Sequence, residues 1–266
     1  MKFAGLVLAL ALGLIAAPNV TGQSEDPTDA VFKVQVWDAK PASDGQYHGH
    51  EYGTAFFIDT DGTAITNSHV VYRVAHEPDK YKIMAVVGKE FYDATVMCAS
   101  KLPYDPTKRD SAGREVGGGA TVSKDVAKIK LGPSTASEDH RSIYYKTKDG
   151  QIIPLAKAHM DTLPEFPFLT IGGAPSGTVR VIGFGGISAI PYKWTATGQV
   201  DRTYTGKYDG TPIFDVEFQN PAVPGNSGSP VLNDQNQVVG LWTWHYYDKP
   251  TKGTAQQSSV LRDPCN

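Results

Sequence analysis

Short runs in which apolar side chains dominate, or alternate with polar ones, recur along the chain between clusters of Gly, Pro, Asn and Asp, a pattern that predicts strands joined by turns. In the first half these runs are Val31–Val36, Gly53–Ile58, Thr63–Asn67, Lys82–Val87, Ala94–Cys98 and Val126–Leu131. In the second they are Phe168–Ile171, Val179–Gly183, Phe214–Phe218, Ser229–Leu232 and Val238–Trp244. Asp59-Thr60-Asp61-Gly62 has the chemistry of a tight turn and predicts a hairpin joining Ala55–Ile58 to Ala64–Thr66; calcium binding by its two aspartates is the weaker reading. Residues 101–124, which include Gly117, Gly118 and Gly119, read as a surface loop. Residues 133–165 read as a connection between two successive β units. No helical periodicity of any length competes, although a short C-terminal helix is expected over Thr254–Leu261.

Composition narrows this picture. The 27 Gly and 18 Pro among 266 residues favour many short strands over a helical bundle, and 40% apolar residues suffice for a real core. With 25 Lys plus Arg against 28 Asp plus Glu the net charge is -3, so no basic field exists to hold a phosphate backbone and nucleic acid is not an expected partner. The N-terminus is a different kind of sequence. Lys2 precedes an apolar run from Phe3 to Ala17, about 15 residues against the roughly 20 that cross a bilayer as a helix. Residues 1–22 therefore read as a secretory signal peptide and no stable membrane anchor is expected, which implies a secreted or periplasmic protein. Cleavage near Gly22 would remove the sequon Asn19-Val20-Thr21, whereas cleavage at Ala17 would keep it. The two cysteines, Cys98 and Cys265, are either separate thiols or a single bridge closing a long loop.

The string with the most chemistry in it is Pro224-Gly225-Asn226-Ser227-Gly228-Ser229-Pro230, followed by apolar Val231 and Leu232. A serine flanked by glycines before a strand can carry its hydroxyl on a tight turn, where the backbone N–H groups around Gly225, Asn226 and Ser227 converge as an oxyanion hole. Serine needs a base to take its proton and a third group to fix the base's tautomer. Of seven histidines, His69 stands at the end of the apolar string Thr63-Ala64-Ile65-Thr66-Asn67-Ser68. Asp125 stands just before the strand that starts at Val126, where a carboxylate can be buried and aimed at an imidazole.

These three strings, in the order His69, Asp125, Ser227, resemble the chymotrypsin-fold, trypsin-like serine proteases, and in wording are closer to Deg-type and glutamyl-endopeptidase-like members than to digestive trypsins. The resemblance covers roughly residues 30–260. It implies an all-β fold of two antiparallel six-stranded barrels, the first over 28–135, a connection over 136–165 and the second over 166–266, with no appended peptide-binding module expected after residue 266. It further implies an endopeptidase acting on protein or peptide substrates through an acyl-enzyme, with no cofactor and no metal. Ser227 would be nucleophile, His69 base and then acid, and Asp125 the residue that orients His69. A catalytically silent, protease-like binding module is the alternative, as is an enzyme that cuts only one partner protein.

Relatives activated by a new N-terminus pair it with an Asp just before the nucleophile; here that residue is Asn226, so no ammonium-to-carboxylate switch is expected. Alignment with the family puts Pro221 at the pocket floor, which gives no support to selection for Arg or Lys. It places Thr243 and Trp244 beside the substrate backbone and His245 where many relatives have Gly. His245 would narrow the pocket or favour an acidic substrate side chain, since an imidazole charges near pH 6.5. Other motifs fail their context. The serine string lacks the second glycine of a Gly-x-Ser-x-Gly elbow, the glycines around Gly183, Gly185 and Gly186 are not followed by a helix start, and His48-Gly49-His50 lacks further metal ligands.

Overall fold

The structure, a computed structural model, describes residues 26–43, 45, 47–88, 90–108, 111, 123–133, 163–185, 193–219, 225–246 and 248–265, and the backbone of 144–146, 152–154 and 156–157. The signal-peptide reading of residues 1–22, most of the 101–124 loop and Pro221 lie outside them. Fifteen strands and one short α-helix are present among the described residues.

The first barrel is built from β1 (Val31–Asp38), β2 (Gly49–Phe57), β3 (Thr63–Thr66), β4 (Tyr81–Val87), β5 (Glu90–Ala99) and β6 (Ala127–Gly132), in the order β4-β1-β2-β3-β6-β5, closed by pairing of β4 with β5. Between β3 and β4 lies α1 (Ser68–His76). Next come the small β7 (Tyr144–Lys146) and β8 (Ile152–Pro154), paired with each other, and β9 (Ala156–Lys157), which pairs parallel with β5. The second barrel is β10 (Thr178–Phe184), β11 (Lys193–Thr205), β12 (Pro212–Phe218), β13 (Pro230–Leu232), β14 (Val238–His245) and β15 (Lys252–Gln257), closed in the order β10-β11-β12-β15-β14-β13. All pairings within the two barrels are antiparallel.

The two-residue period of a strand explains how the halves meet. In β1, Phe32, Val34 and Val36 fill the first barrel together with Phe57, Ile83, Ile129 and Leu131. Val31 on the opposite face joins Phe56, Ile65, Val126, Ile182, Leu232 and Leu241 in a cluster drawn from both barrels. The second interior holds Val179, Val181, Phe214, Val216, Ala255 and Trp242, whose indole packs edge-on against Phe218 at 4.9 Å. Beside this apolar seam, polar groups of the two halves meet in hydrogen bonds such as Thr54 Oγ1 on the Gly225 carbonyl and Asn67 Nδ2 on Thr243 Oγ1.

Two expectations change. The segment Thr254–Leu261 is not a helix: β15 runs to Gln257 because it is needed between β12 and β14 to close the barrel, and only Ser258–Leu261 turns, as a 3-10 helix. Phe168–Ile171 is extended without forming a strand; Leu169 N–H bonds the carbonyl of Phe57 and Ile171 makes a lone bridge to Val238, so the segment laces the barrels together. Asp59–Gly62 is a turn, as expected, with Asp59 accepting from the amides of Asp61 and Thr63 and the Lys130 ammonium 2.5 Å from Asp61. These carboxylates are already occupied by the turn and by a lysine. Cys98 and Cys265 are joined in a disulfide, which fixes the C-terminal tail to the first barrel.

Candidate active site

His69 is positioned by a change of period. The β3 ladder ends at Thr66, and Val70, Val71 and Val74 then bury one face of α1, so the chain turns from strand to helix and His69 becomes its second residue. The first N–H groups of a helix have no partner inside it. Asp125, which is fully buried, supplies one: Oδ1 accepts from the His69 amide at 2.9 Å while Oδ2 meets His69 Nδ1 at 2.6 Å. This two-point clasp fixes both the ring's position and its tautomer, leaving Nδ1 as the protonated nitrogen and Nε2 as the basic one. Neighbouring side chains hold the aspartate's own backbone. Asn67 Nδ2 donates to the Asp125 carbonyl at 2.7 Å, and Ser68 Oγ donates to the Val126 carbonyl at 2.8 Å.

Ser227 sits on a tight turn between Gly225, at φ 95°, and Gly228, at φ 88°, both in the region that L side chains rarely adopt. Space makes the same demand at Gly228, since a Cβ there would stand 2.0 Å from the Thr54 carbonyl oxygen. The turn is closed by Ser229 N–H on the Asn226 carbonyl at 3.0 Å and tied to β14 by Gly228 N–H on the Trp242 carbonyl at 2.9 Å. Neither the Gly225 nor the Ser227 amide donates to a backbone carbonyl among the described residues. The Ser227 hydroxyl lies 3.5 Å from the Thr243 carbonyl oxygen.

Thr54 of β2 joins this turn to the first barrel. Its amide donates to the Ser227 carbonyl at 2.8 Å, its hydroxyl donates to the Gly225 carbonyl at 3.0 Å and accepts from Phe184 N–H at 2.9 Å, and its carbonyl accepts from Thr66 Oγ1 at 2.7 Å. Gly53 beside it is bounded by Val70, the neighbour of His69, on one side and by the Ser227 carbonyl on the other. The structure therefore brings the His69, Asp125 and Ser227 segments to one edge of the seam between the barrels.

The remaining candidates divide. Thr243 is buried and turns its hydroxyl inward, so only its main-chain carbonyl faces Ser227. Trp244 and His245 end β14 half-buried, and burial holds the His245 imidazole below its ordinary pKa. Asn226 is buried, with neither its amide nitrogen nor its oxygen hydrogen-bonded. His50 lies on Asp38 at 2.7 Å and edge-on to Tyr81, and no cluster of three or more metal-ligating side chains occurs among the described residues. Thr54 and Gln256 escaped the sequence reading as site residues, Thr54 being an ordinary polar residue of an expected strand and Gln256 lying within the expected C-terminal helix; nothing in the sequence marks either.

A seam between two closed barrels, with a serine on a glycine-bounded turn and a histidine clasped by a buried aspartate brought to one edge of it, is the architecture of a serine peptidase. The chain belongs to the trypsin-like peptidase domain family, whose model matches residues 53–241. Among curated proteins no sequence matches it. Among solved structures it is similar to the inactive form of Rv3671c from M. tuberculosis H37Rv, a serine-to-alanine mutant, at 16% identity and a TM-score of 0.52 over 89% of this chain and 84% of that one. It is likewise similar to the active form of the Rv3671c protease from M. tuberculosis, at 18% identity and a TM-score of 0.51 over 88% and 79%. At these identities the likeness is one of fold.

Proposed function

We propose that the protein is a secreted endopeptidase in which His69, Asp125 and Ser227 form the catalytic triad. The observation that carries this reading is the clasp of Asp125 on both the amide and Nδ1 of His69, at 2.9 and 2.6 Å. With Nδ1 so engaged, Nε2 takes the proton of Ser227 as Oγ attacks the scissile carbonyl, and Asp125 stabilises the imidazolium that results. The carbonyl oxygen becomes an oxyanion held by the N–H groups of Gly225 and Ser227, with Asn226 shaping the turn between them. His69 then gives its proton to the leaving amine. Water attacks the acyl-enzyme by the same route and releases Ser227. Every proton moves between substrate, water, serine and imidazole, so no cofactor is needed. Substrates are proteins or peptides, whose backbone would run past the Thr243 carbonyl and Trp244, with His245 bordering the side-chain pocket.

The test is labelling of the mature protein with a fluorophosphonate, beside Ser227→Ala and with the adduct mapped by mass spectrometry. A covalent adduct on Ser227 that is absent from the variant is the expected result. Folded protein that takes no label would overturn the reading and put a silent binding module in its place.

A further inference from the structure

Asp125 precedes the first residue of β6, so no strand ladder sets its position. A side chain from the other barrel does this instead. Gln256 of β15 is fully buried and closes on the backbone of Asp125 as a neighbouring strand would: its Oε1 accepts from the Asp125 N–H at 2.8 Å and its Nε2 donates to the Asp125 carbonyl at 2.8 Å. The second hydrogen on Nε2 goes to Thr243 Oγ1 at 3.0 Å. Thr243 Oγ1 also accepts from Asn67 Nδ2 at 3.1 Å and donates to the Leu241 carbonyl at 3.0 Å. Both donors of the glutamine amide are thereby used, as are the donor and both acceptor sites of the threonine hydroxyl. The amide orientation is fixed by its surroundings, because turning it over would set oxygen against the Asp125 carbonyl and N–H against N–H. Thr243 is also the residue whose main-chain carbonyl faces the Ser227 hydroxyl, at 3.5 Å.

We propose that Gln256 is a positioning residue for the peptidase reaction: one side chain of the second barrel sets where Asp125, in the first, stands relative to the strand that carries Thr243 opposite Ser227. This rests on Asp125 serving as the orienting acid of the triad. Gln256 touches neither substrate nor reacting atoms; it acts through the aspartate, and through it on the imidazole. Among the described residues it alone engages both backbone groups of Asp125, whereas Asn67 engages the carbonyl only and leaves its own Oδ1 without a partner.

The experiment compares Gln256→Met, equal in length and unable to hydrogen-bond in this way, with wild type and with Asp125→Asn. A displacement of about 1 Å at a reacting group costs on the order of 100-fold, so kcat of Gln256→Met is expected to fall about 10- to 100-fold while KM stays within about twofold. The low-field proton resonance of the His69 Nδ1–Asp125 hydrogen bond is expected to shift or broaden in the same variant. An unchanged kcat, or a fall in kcat with that resonance unmoved, would overturn the proposal while Asp125→Asn still abolishes turnover. Should Asp125→Asn retain full turnover, it is the triad reading that falls. If Gln256→Met does not fold, exchange in the wild-type protein decides: the side-chain amide protons of Gln256 and the Asp125 N–H are expected to exchange slowly, and rapid exchange of either would overturn the proposal.

Discussion

Two aspartates are fully buried among the described residues, Asp125 before β6 and Asp215 in β12, and the surroundings of one are the inverse of the other. The Asp215 carboxylate accepts from Thr254 Oγ1 at 2.7 Å, Arg202 Nε at 2.7 Å, Tyr204 OH at 2.9 Å and Tyr246 OH at 3.3 Å. Burial alone would raise its pKa, but the hydrogen bonds from Thr254, Arg202 and Tyr204 and the guanidinium charge outweigh this and hold it below the usual carboxylate range. The Asp125 carboxylate has one backbone amide and one imidazole, both from His69. The same strand serves both regions, since Thr254 and Gln256 are two residues apart in β15 and share its face away from the barrel core. Under the proposed mechanism, burial does not separate a structural carboxylate from a working one. The difference is whether the partner's charge is permanent, as in Arg202, or can change within a reaction, as in His69.

By that distinction the two sites are expected to fail in different ways. The largest effect belongs to Asp125→Asn, which presents an amide where the imidazole needs an acceptor; turnover is expected to drop by about 10⁴ while the fold survives. Peptide-hydrolysis rates read beside a thermal melt check both halves of this. Asp215→Ala should do the opposite. Leaving Thr254 and the two tyrosines without their acceptor is expected to cost about 2–4 kcal/mol in urea unfolding, with kcat of the folded fraction within about threefold of wild type. A kcat that collapsed in parallel with stability would erase the contrast.

A third buried charge approaches the rule from outside. Lys33 in β1 is 1% exposed, its ammonium 5.1 Å from the centre of the Tyr52 ring, and burial pushes its pKa down to about 8. Below that value the folded protein holds a desolvated cation, so Lys33→Met is expected to raise stability at pH 7 by about 1–3 kcal/mol. From about pH 8 to 10.5 the unfolded chain keeps the proton that the folded one has shed, so wild-type stability rises with pH and the variant's advantage shrinks. Denaturation at pH 7 and pH 10 measures both. The smallest effect is on the acid side. Because Asp215 titrates below its unfolded value of about 3.9, its stabilisation is complete above that pH and is lost as pH falls toward the folded value. Asp215→Asn should flatten this part of the stability curve, and an unaltered slope would place the acid sensitivity elsewhere.

The legibility of these features in the sequence follows their physics. His69, Asp125 and Ser227 stand out in the sequence because each borders an apolar run, His69 after one and Asp125 and Ser227 ahead of one, and the glycines around Ser227 have φ values that only such residues take easily. The helix that carries His69 was hidden by its composition. Val70, Val71 and Val74 are β-branched and continue an apolar strand, so Ser68–His76 reads as strand end unless the i, i+4 pair of Tyr72 and His76, in ring contact at 4.0 Å, is weighed. Strand β11 was missed although Trp194, Ala196, Gly198 and Val200 alternate, because small residues dilute the apolar signal and much of its other face is in water. Gln256 could not be read at all as a site residue. Its partners on Asp125 are backbone atoms 131 residues away, and a contact to backbone leaves no mark on the identity of the residue contacted.

The bridge from Cys98 to Cys265 spans a sequence separation of 167 residues that includes Asp125, Ser227 and every strand of the second barrel. For a peptidase this has a consequence for its own survival: a single cut anywhere between the two cysteines yields fragments that remain one covalent molecule. Such a nicked protein would migrate as one species without reductant and as two with it.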